Sequence, residues 1–421
     1  MTSALSAFTR SIDHPSFLQA LGHKQNLLII QDLDGVCMGL VRDPKRRTMD
    51  ADYIRAVRAM AGQFYVLTNG EHIGSRGVNP IVEAAFATQP SGWVQQQGLY
   101  LPGLAAGGVQ WQGCDGDLDH PGVSAQEMAF LKAVPDTMHR YLSARLSEPP
   151  FALSPQQVAE VLDVIVLDNL VSPTLNIGSL HDRFGAHYPA MQRVAAELME
   201  ALLQQAAEQG LEDSFFVHLA PNLGTQNGRE RLKPAAGSDM GTTDFQFMLR
   251  GAVKEAGVLV LLNRYYFARC GEYPLGEDFS VRVAPRSADA MRALAESAFD
   301  PALMPSVVGV GDTVTSVVDN DDATVFSRGG SDRGFLTLVQ QLGESFHSDN
   351  AVVWVDSSGG ELNRPGLSPQ HTDPSQPVPL TSLQGITDEY DPLQLNLLFA
   401  GGYQQYIAFF RQLASLRQTT A

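Results

Sequence analysis

Short apolar runs alternate with an amphipathic segment near the start of the chain. Residues 26–34 form a continuous apolar run, which is typical of a strand buried on both faces of a parallel sheet. Residues 50–63 place their apolar side chains on one helical face, and residues 64–70 form a second apolar run. This pattern predicts a strand–helix–strand unit in which both strands are parallel and end at the same edge of the sheet.

The remaining elements follow from the same reading of apolar spacing. Residues 124–210 are predicted to be mostly helical, and residues 243–266 contain a strong helical signal. Further strands are predicted within residues 93–113 (short strands joined by Gly-rich turns), 213–222, 305–313 and 351–358. The Pro-, Ser- and Gly-rich residues 359–385 are predicted to form a surface loop.

Composition limits the number of lobes and the kind of partner. The chain has 421 residues with 44% hydrophobic content, whereas single cores stop growing near ~250–300 residues, so we expect two lobes. The formal net charge is -17 without a long basic run, which argues against a nucleic-acid partner. An acidic protein that binds an anionic substrate needs a local positive site, such as a divalent cation with one or two Lys or Arg side chains.

Cysteine usage and hydropathy indicate the compartment. The three cysteines, Cys37, Cys114 and Cys270, are widely spaced without a CxxC pair, so neither a disulfide framework nor a zinc cluster is indicated. Near the N-terminus, no apolar run approaches the ~18 residues that a membrane span needs. We therefore expect a soluble, cytoplasmic protein without a membrane partner.

Polar residues follow three of the predicted strands. Asp32 and Asp34 come after the first, Thr68 and Asn69 after the second, and Asp312 after the third. An aspartate at a strand end is often only a turn or helix-cap residue. In open parallel sheets, however, ligands bind outside the carboxyl ends of the strands, so three such ends predict a site where these groups converge.

These residues resemble the motifs of a known superfamily. Residues 32–36, residues 67–69, a downstream lysine and residues 311–312 resemble, in order, the four motifs of the haloacid dehalogenase superfamily of phosphohydrolases. The resemblance implies an α/β fold: a Rossmann-like parallel-sheet hydrolase core with an α/β cap domain inserted between the second and third motifs. It places the core at residues 1–77 and 241–421, and the cap, which would select the substrate, at residues 78–240.

Longer strings resemble one family within that superfamily, the glucosylglycerol-phosphate phosphatases of cyanobacterial salt acclimation. They include QDLDGVCM, VLTNGEH, GLYLPGLAAGGVQWQ, GTTDFQFMLRG and GVGDTVTS. The resemblance implies hydrolysis of 2-O-(α-D-glucopyranosyl)-sn-glycerol 3-phosphate to glucosylglycerol, a compatible solute in osmotic stress, and the glucosylglycerol-phosphate synthase as a partner. The alternatives are a trehalose- or sucrose-phosphate phosphatase and a non-catalytic partner of the synthase, although a pure binder has no use for Asp34.

The acidic residues suggest a reaction. Asp32 can place a carboxylate oxygen in line with phosphorus and form an aspartyl-phosphate, so we expect it to be the nucleophile. Asp34 can protonate the departing alkoxide and later activate water, and Gly35, which follows it, allows the chain to turn sharply. Because two anions repel, attack requires a divalent cation, and Mg²⁺ suits the carboxylates of Asp32 and Asp312 with the backbone carbonyl of Asp34.

The phosphoryl group needs further contacts. Thr68 and the amide of Asn69 can hydrogen-bond its oxygens, and we expect Gly35 and Asn69 to face the substrate; a plain Asn-Gly turn is the alternative. Lys254 matches the family's third motif, where its ammonium would neutralise phosphate and nucleophile. The alternatives for this cation are Lys233, Arg250 and Arg264.

The chain departs from the superfamily pattern at two places. The separation between Lys254 and Asp312 is longer than usual, which predicts an additional sub-element at about residues 263–298. Where many relatives carry a second acid, this chain has Ser316. The candidates for outer support of the metal site are Asp319, Asp321 and Asp332.

Substrate selectivity is expected to come from the cap. The candidates are Glu71, His72, Arg76, Gln97, His218, Asn222 and Asp244, each of which also fits an ordinary turn, cap or core residue. Trp93 and Trp111 can stack on a sugar ring, but packing is the better interpretation. Cys37 has no histidine partner nearby, so we expect it to pack as a small hydrophobe.

Overall fold

The chain divides into two units, each of which contains its own sheet. The computed structural model describes residues 4–167, 169–226, 228–237, 240–318, 326–362, 364–367 and 373–420. The core unit consists of Met1–His72, Val78–Gly122 and Val253–Ala421. The inserted unit consists of Ile73–Gly77 and Val123–Ala252.

The helices and strands are as follows. The helices are α1 (His14–Gly22), α2 (Ala51–Ala59), α3 (Val78–Ala85), α4 (Trp93–Gln96), α5 (Ala125–Ser147), α6 (Pro155–Ile165), α7 (His181–Phe184), α8 (Tyr188–Glu208), α9 (Lys254–Cys270), α10 (Ala288–Ala298), α11 (Arg333–Phe346) and α12 (Gly402–Thr420). The strands are β1 (Leu27–Gln31), β2 (Phe64–Leu67), β3 (Gly103–Ala105), β4 (Gln110–Gln112), β5 (Leu118–Asp119), β6 (Val166–Leu167), β7 (Thr174–Asn176), β8 (Phe215–Ala220), β9 (Asn222–Gln226), β10 (Arg229–Leu232), β11 (Asp244–Leu249), β12 (Ser306–Gly311), β13 (Thr315–Val318), β14 (Phe326–Gly329), β15 (Ala351–Val355) and β16 (Leu397–Phe399).

The core unit is built on a mostly parallel sheet. Its strand order within the described residues is β16-β15-β12-β1-β2-β3-β4-β5. The pairs from β16 to β3 are parallel, and β4 and β5 extend the sheet antiparallel. This confirms the predicted α/β fold with a parallel-sheet core, and β1, β12 and β15 are buried along nearly their whole length, as continuous apolar runs require.

The inserted unit has a separate antiparallel sheet. Its strand order within the described residues is β6-β7-β11-β8, and β9 and β10 form a hairpin. The long helices α5, α6 and α8 make up most of residues 124–210, as the apolar spacing of that segment predicts. Phe215, Phe245 and Phe247 are buried in its core, where the rings of Phe215 and Phe247 lie 4.9 Å apart.

The predicted boundaries of the insertion, at residues 78 and 240, are wrong. Residues 78–122 belong to the core unit because β3, β4 and β5 continue its sheet. Residues 241–252 belong to the inserted unit because β11 pairs with β7 and β8. The assignment of substrate selection to the inserted unit stays a prediction.

Other parts of the prediction need correction too. Residues 243–266 contain the predicted helix only from Lys254, because Asp244–Leu249 form β11. Of the sub-element predicted at residues 263–298, residues 263–270 are the end of α9, and the additional part is a loop followed by α10. Within the predicted surface loop at residues 359–385, Val378 and Leu383 are fully buried, so this segment packs on the core unit over part of its length.

One buried polar residue lies inside the central strand. The side-chain amide of Gln31, the last residue of β1, donates to the hydroxyl of Tyr53 at 2.8 Å. Its oxygen accepts from the hydroxyl of Tyr406 at 2.7 Å. Because both tyrosines are buried on helices α2 and α12, this satisfied network fixes the helices against the strand that precedes Asp32.

No helix in the part of the chain that the structure describes combines the length and apolar character needed to cross a lipid bilayer.

We predict that a side chain at Gly103 destabilises the core unit, because β2 and β3 approach closely there. Gly103 has φ 139°, and a Cβ atom at this position would lie 2.3 Å from the carbonyl oxygen of Val66. Gly103→Ala should therefore lower the free energy of unfolding by roughly 1–3 kcal/mol or more, measured by urea denaturation.

Gly62→Ala is the matched control for backbone strain. Gly62 also has a positive φ, 77°, but a Cβ there meets nothing within 4 Å. Its cost should be limited to about 1 kcal/mol of conformational strain. Equal losses in the two variants would contradict the proposed contact between Gly103 and Val66.

Candidate active site

The ends of β1, β2 and β12 meet at one edge of the parallel sheet. Gln31 is paired with Val310 on one side and with Val66 on the other, so the residues that follow these strands lie side by side. The backbone N–H of Asp32 donates to the carbonyl oxygen of Val310 at 2.9 Å. This register brings the predicted residues Asp32 and Asp312 together.

A buried lysine joins two of the carboxylates. Lys254 is the first residue of α9, and its side chain is 3% exposed. Its Nζ lies 2.8 Å from Oδ2 of Asp32 and 2.7 Å from Oδ1 of Asp332. Lys254 is therefore the candidate cation that the structure brings to Asp32.

The three alternative cations make other contacts or belong to the inserted unit. The guanidinium of Arg264 stacks on the ring of Trp111, 3.9 Å from its centroid. Arg250 donates to the carbonyl oxygen of Phe215 within the inserted unit, to which Lys233 also belongs.

Asp332 supports the loop that follows β12. Its Oδ2 accepts the backbone N–H groups of Asp312, at 3.0 Å, and Thr313, at 2.9 Å, while Oδ1 binds Lys254. Of the candidates for outer support, Asp332 thus has this position, whereas Asp319 and Asp321 lie outside the described residues. Ser316, which stands where relatives carry an acid, donates its hydroxyl to Asp388 instead.

The turn after Asp34 passes very close to Asp312. Gly35 has φ 79°, and a Cβ atom there would lie 2.2 Å from Oδ2 of Asp312. Only glycine therefore satisfies both the backbone conformation and the space at this position.

The carboxylate of Asp34 is less buried than those of Asp32 and Asp312, and its Oδ1 forms a salt bridge with Nε of Arg47 at 2.9 Å. Arg47 was not identified from the sequence, because no motif or spacing links it to Asp34.

The second motif forms a tightly held turn. Thr68 is buried, and its hydroxyl accepts the backbone N–H of Gly70 at 3.2 Å. The carbonyl oxygen of Thr68 accepts the N–H of Gly107 at 3.1 Å, and half-buried Asn69 lies between these anchored residues. The turn holds Thr68 and Asn69 at the same sheet edge as Asp32, because β2 is paired with β1.

Burial dominates the electrostatics of the cluster. It raises the pKa of Asp32 to about 7, with Lys254 lowering the pKa and Asp332 raising it. Burial also raises the pKa of Asp312, and the neighbouring Asp332 and Asp32 add to this effect. For Lys254, burial lowers the pKa, but the two carboxylates more than offset it, so the pKa lies above its ordinary value and the side chain is a cation. Among the described residues, this cluster has one ammonium, bound to two of its three carboxylates, a charge balance that favours binding of a further cation.

The cluster fits a magnesium ion. Asp32, Asp312 and Asp332 each offer a carboxylate oxygen, and these atoms lie within 4.8 Å of one another. Oδ1 of Asp32 and Oδ2 of Asp312 are buried without a hydrogen-bond partner among the described residues. Buried carboxylate oxygens are costly without a partner, and hard oxygen ligands are those that Mg²⁺ prefers. Both oxygens of Asp332 are already engaged, so Asp332 supports the site and Asp32 and Asp312 are the candidate ligands.

Two residues predicted to read the sugar are buried structural residues. Glu71 is 2% and His72 0% exposed. The backbone N–H of His72 donates to the side-chain oxygen of Gln110 at 2.6 Å, and its ring Nε2 lies 3.2 Å from the carbonyl oxygen of Gly103. Burial lowers the pKa of His72 to about 4, so the ring is neutral. Their burial favours the alternative interpretation of both candidates as ordinary core residues.

The other sugar-reading candidates make contacts within their own units. Arg76 binds the carbonyl oxygen of Asp163, His218 and Asn222 bind Glu230, and Asp244 binds Asn176, all within the inserted unit, whereas Gln97 is exposed on the core unit. Their contact with substrate stays a prediction.

Trp93, Trp111 and Cys37 are packing residues. The ring of Trp93 lies 5.4 Å from that of Phe86, and the ring of Trp111 contacts both Tyr65 and Arg264. Cys37 is buried, and burial raises the pKa of its thiol. The interpretation of these three residues as packing residues agrees with the structure.

Similarity to known proteins extends over almost the whole chain. The family model for glucosylglycerol-phosphate phosphatase matches residues 26–414. The glucosylglycerol-phosphate phosphatase of Synechocystis sp. is 50% identical over 412 residues, covering 97% of each chain.

Solved structures with a similar arrangement are far more distant in sequence. The trehalose-6-phosphate phosphatase C-terminal domain of C. albicans has 10% identity and a TM-score of 0.44, covering 97% of this chain and 99% of that one. The trehalose-6-phosphate phosphatase of Aspergillus fumigatus has 11% identity and a TM-score of 0.37 over the same shares. Since both scores are below 0.5, the assignment rests on the family match and the close relative: the chain belongs to the glucosylglycerol-phosphate phosphatase family.

Proposed function

We propose that this chain hydrolyses the phosphomonoester bond of glucosylglycerol phosphate and releases glucosylglycerol and inorganic phosphate. The observation that supports this most is the 50% identity to a glucosylglycerol-phosphate phosphatase over 97% of both chains. The acidic cluster around Asp32 supplies the groups that such a reaction needs. A non-catalytic binding role gives no reason for a proton donor at Asp34 beside the carboxylate oxygens of Asp32 and Asp312, which are buried without a hydrogen-bond partner in the described part of the chain.

In the first step, Asp32 attacks phosphorus and the alcohol leaves. Lys254 binds Oδ2 of Asp32, the oxygen that forms the bond to phosphorus, and Oδ1, which has no hydrogen-bond partner among the described residues, is the oxygen left for the cation. The bond between phosphorus and the glycerol oxygen breaks as Asp34 gives that oxygen a proton. Thr68 and Asn69 hydrogen-bond the phosphoryl oxygens, while the ammonium of Lys254 offsets their charge.

In the second step, water hydrolyses the aspartyl-phosphate. Asp34, now ionised, accepts a proton from the attacking water. The bond between phosphorus and Asp32 breaks, which restores the carboxylate and releases phosphate. Asp34 thus acts as acid and then as base at the same position.

We further propose Mg²⁺ as the cofactor, held by the carboxylates of Asp32 and Asp312 and the backbone carbonyl of Asp34. When bound, it offsets the repulsion between the nucleophile and the phosphoryl group. Asp332 keeps the loop that carries Asp312 in place through the N–H groups of Asp312 and Thr313.

The cellular role follows from the product. We propose that the reaction takes place in the cytoplasm and completes synthesis of a compatible solute under salt stress. A glycosyl-transferring synthase would supply the phosphorylated substrate and is the proposed protein partner. Selection of the sugar is assigned to the inserted unit.

We predict that Asp32→Asn abolishes phosphate release. An amide cannot act as the nucleophile, so the rate should fall by at least roughly a thousandfold. Lys254 keeps its contact with Asp332, so circular dichroism and the unfolding midpoint should stay close to those of the unaltered protein. Full activity in a folded Asp32→Asn protein would rule out the covalent route.

We predict that Mg²⁺ stabilises the folded chain through Asp312. A ligand that binds only the folded state stabilises it by about 2.7 kcal/mol at a hundred times its Kd, so Mg²⁺ should raise Tm in calorimetry. Asp312→Asn should lose this Mg²⁺-dependent shift. Asp289→Asn, which removes an 86% exposed carboxylate from the start of α10, should keep it. A shift of equal size in both variants would place the ion elsewhere.

We predict a preference for glucosylglycerol phosphate in a panel of phosphorylated glycosides. The panel should include trehalose 6-phosphate, sucrose 6-phosphate and glycerol 3-phosphate, and kcat/KM is the quantity to compare, since it reports discrimination between substrates. A loss of about tenfold or more is expected for each of the others. A higher kcat/KM for trehalose or sucrose phosphate would reassign the substrate without changing the reaction.

A further inference from the structure

Arg47 contacts the proposed general acid from outside the four motifs. Its Nε forms a salt bridge with Oδ1 of Asp34 at 2.9 Å, and the two side chains are 20% and 27% exposed. This degree of burial shields the pair from solvent more than an open surface ion pair. Because the contact engages one carboxylate oxygen, the other can carry the proton that leaves with the alcohol.

The chain around Arg47 is anchored to another loop of the core unit. The side chain of Glu361 accepts the backbone N–H of Arg42 at 2.9 Å and pairs with Arg46 at 3.0 Å. The backbone N–H of Glu361 donates to the carbonyl oxygen of Leu40 at 2.8 Å. These contacts fix the backbone immediately before Arg47. Less conformational entropy is therefore lost when the side chain of Arg47 binds Asp34.

The carboxylates of the cluster differ in how they are held. Asp32 is bound by Lys254, and the loop that carries Asp312 is bound by Asp332. Asp34 is more exposed and lies on the turn at Gly35, where the contact with Arg47 restrains its carboxylate. A general acid must lie within about 3 Å of the oxygen that it protonates. A displacement of about 1 Å at such a site can cost roughly a hundredfold in rate.

We propose that Arg47 is a positioning residue that aims Asp34 at the leaving-group oxygen. This inference rests on the proposed phosphatase function. Arg47 acts through Asp34 and does not itself contact the reacting atoms. Its effect is therefore confined to substrates whose leaving group needs a proton, such as the alkoxide of a glycerol, and is small for a phenolate that leaves unprotonated.

The test compares two leaving groups in Arg47→Met. The quantity is kcat/KM, which reports the steps up to release of the alcohol and excludes the later attack of water. For glucosylglycerol phosphate, kcat/KM should fall by about 10- to 100-fold, whereas for p-nitrophenyl phosphate it should fall by less than about threefold. Arg47→Lys, which keeps the charge and one donor, should recover part of the loss. Equal losses for both substrates would overturn the proposal and indicate that Arg47 binds the phosphoryl group.

Lys45→Met is the matched control for charge. It removes one positive charge from the same turn at an exposed position, so the ratio of the two kcat/KM values should stay unchanged. A change of ratio equal to that of Arg47→Met would mean that the local field, not the contact, is responsible.

A double-mutant cycle with Asp34→Asn separates this proposal from the reaction itself. If Arg47 acts through Asp34, Arg47→Met should have no further effect on the ratio in the Asp34→Asn background. If Asp34→Asn lowers kcat/KM equally for both substrates, Asp34 is not the general acid. If Asp34→Asn alters the ratio but Arg47→Met does not, the acid role stands and the positioning role of Arg47 is wrong.

Discussion

The buried ammonium of Lys254 between Asp32 and Asp332 is the interaction on which the rest of the site depends. A charge removed from water costs several kcal/mol unless it is paired and hydrogen-bonded, and here both conditions hold. Lys254 lies 2.8 Å from Asp32 and 2.7 Å from Asp332. Because Asp332 also accepts two backbone N–H groups after β12, one lysine connects the ends of two neighbouring strands.

This arrangement explains why one carboxylate oxygen of Asp32 and one of Asp312 have no hydrogen-bond partner among the described residues. Lys254 occupies one oxygen of Asp32, and Thr313 donates its hydroxyl to one oxygen of Asp312. The second oxygen of each is buried and has no hydrogen-bond partner among the described residues. Gly35 lets the first motif's turn pass within contact of Asp312, so the free oxygens lie where a small cation suits both. The fold thus buries carboxylate oxygens, at a cost in free energy, where a cation and a phosphoryl group are proposed to bind.

The parts of this account that could be predicted from sequence are those with local signals. Residues 26–34 and 305–313 contain the buried parallel strands β1 and β12, which appear in the sequence as continuous apolar runs, and the polar residues after each strand mark the site. Asp332 could be named only as one of three candidates, because its role depends on α11 lying beside α9. The strand Asp244–Leu249 was predicted as helix from its apolar spacing. Its pairing with β7 and β8, which are distant in sequence, has no local signal. His72 lies close after the second motif in sequence but is buried by contacts with Gln110 and Gly103, which no local pattern indicates.

The covalent aspartyl-phosphate at Asp32 is the central claim, and borohydride trapping tests it most directly. Borohydride reduces an acyl phosphate to an alcohol, so phosphorylated aspartate becomes homoserine, which peptide mass spectrometry can locate. In protein quenched during turnover with glucosylglycerol phosphate and Mg²⁺, we expect homoserine at position 32 and none when substrate is omitted. Homoserine at another aspartate, or an unmodified Asp32 throughout active turnover, would contradict the account.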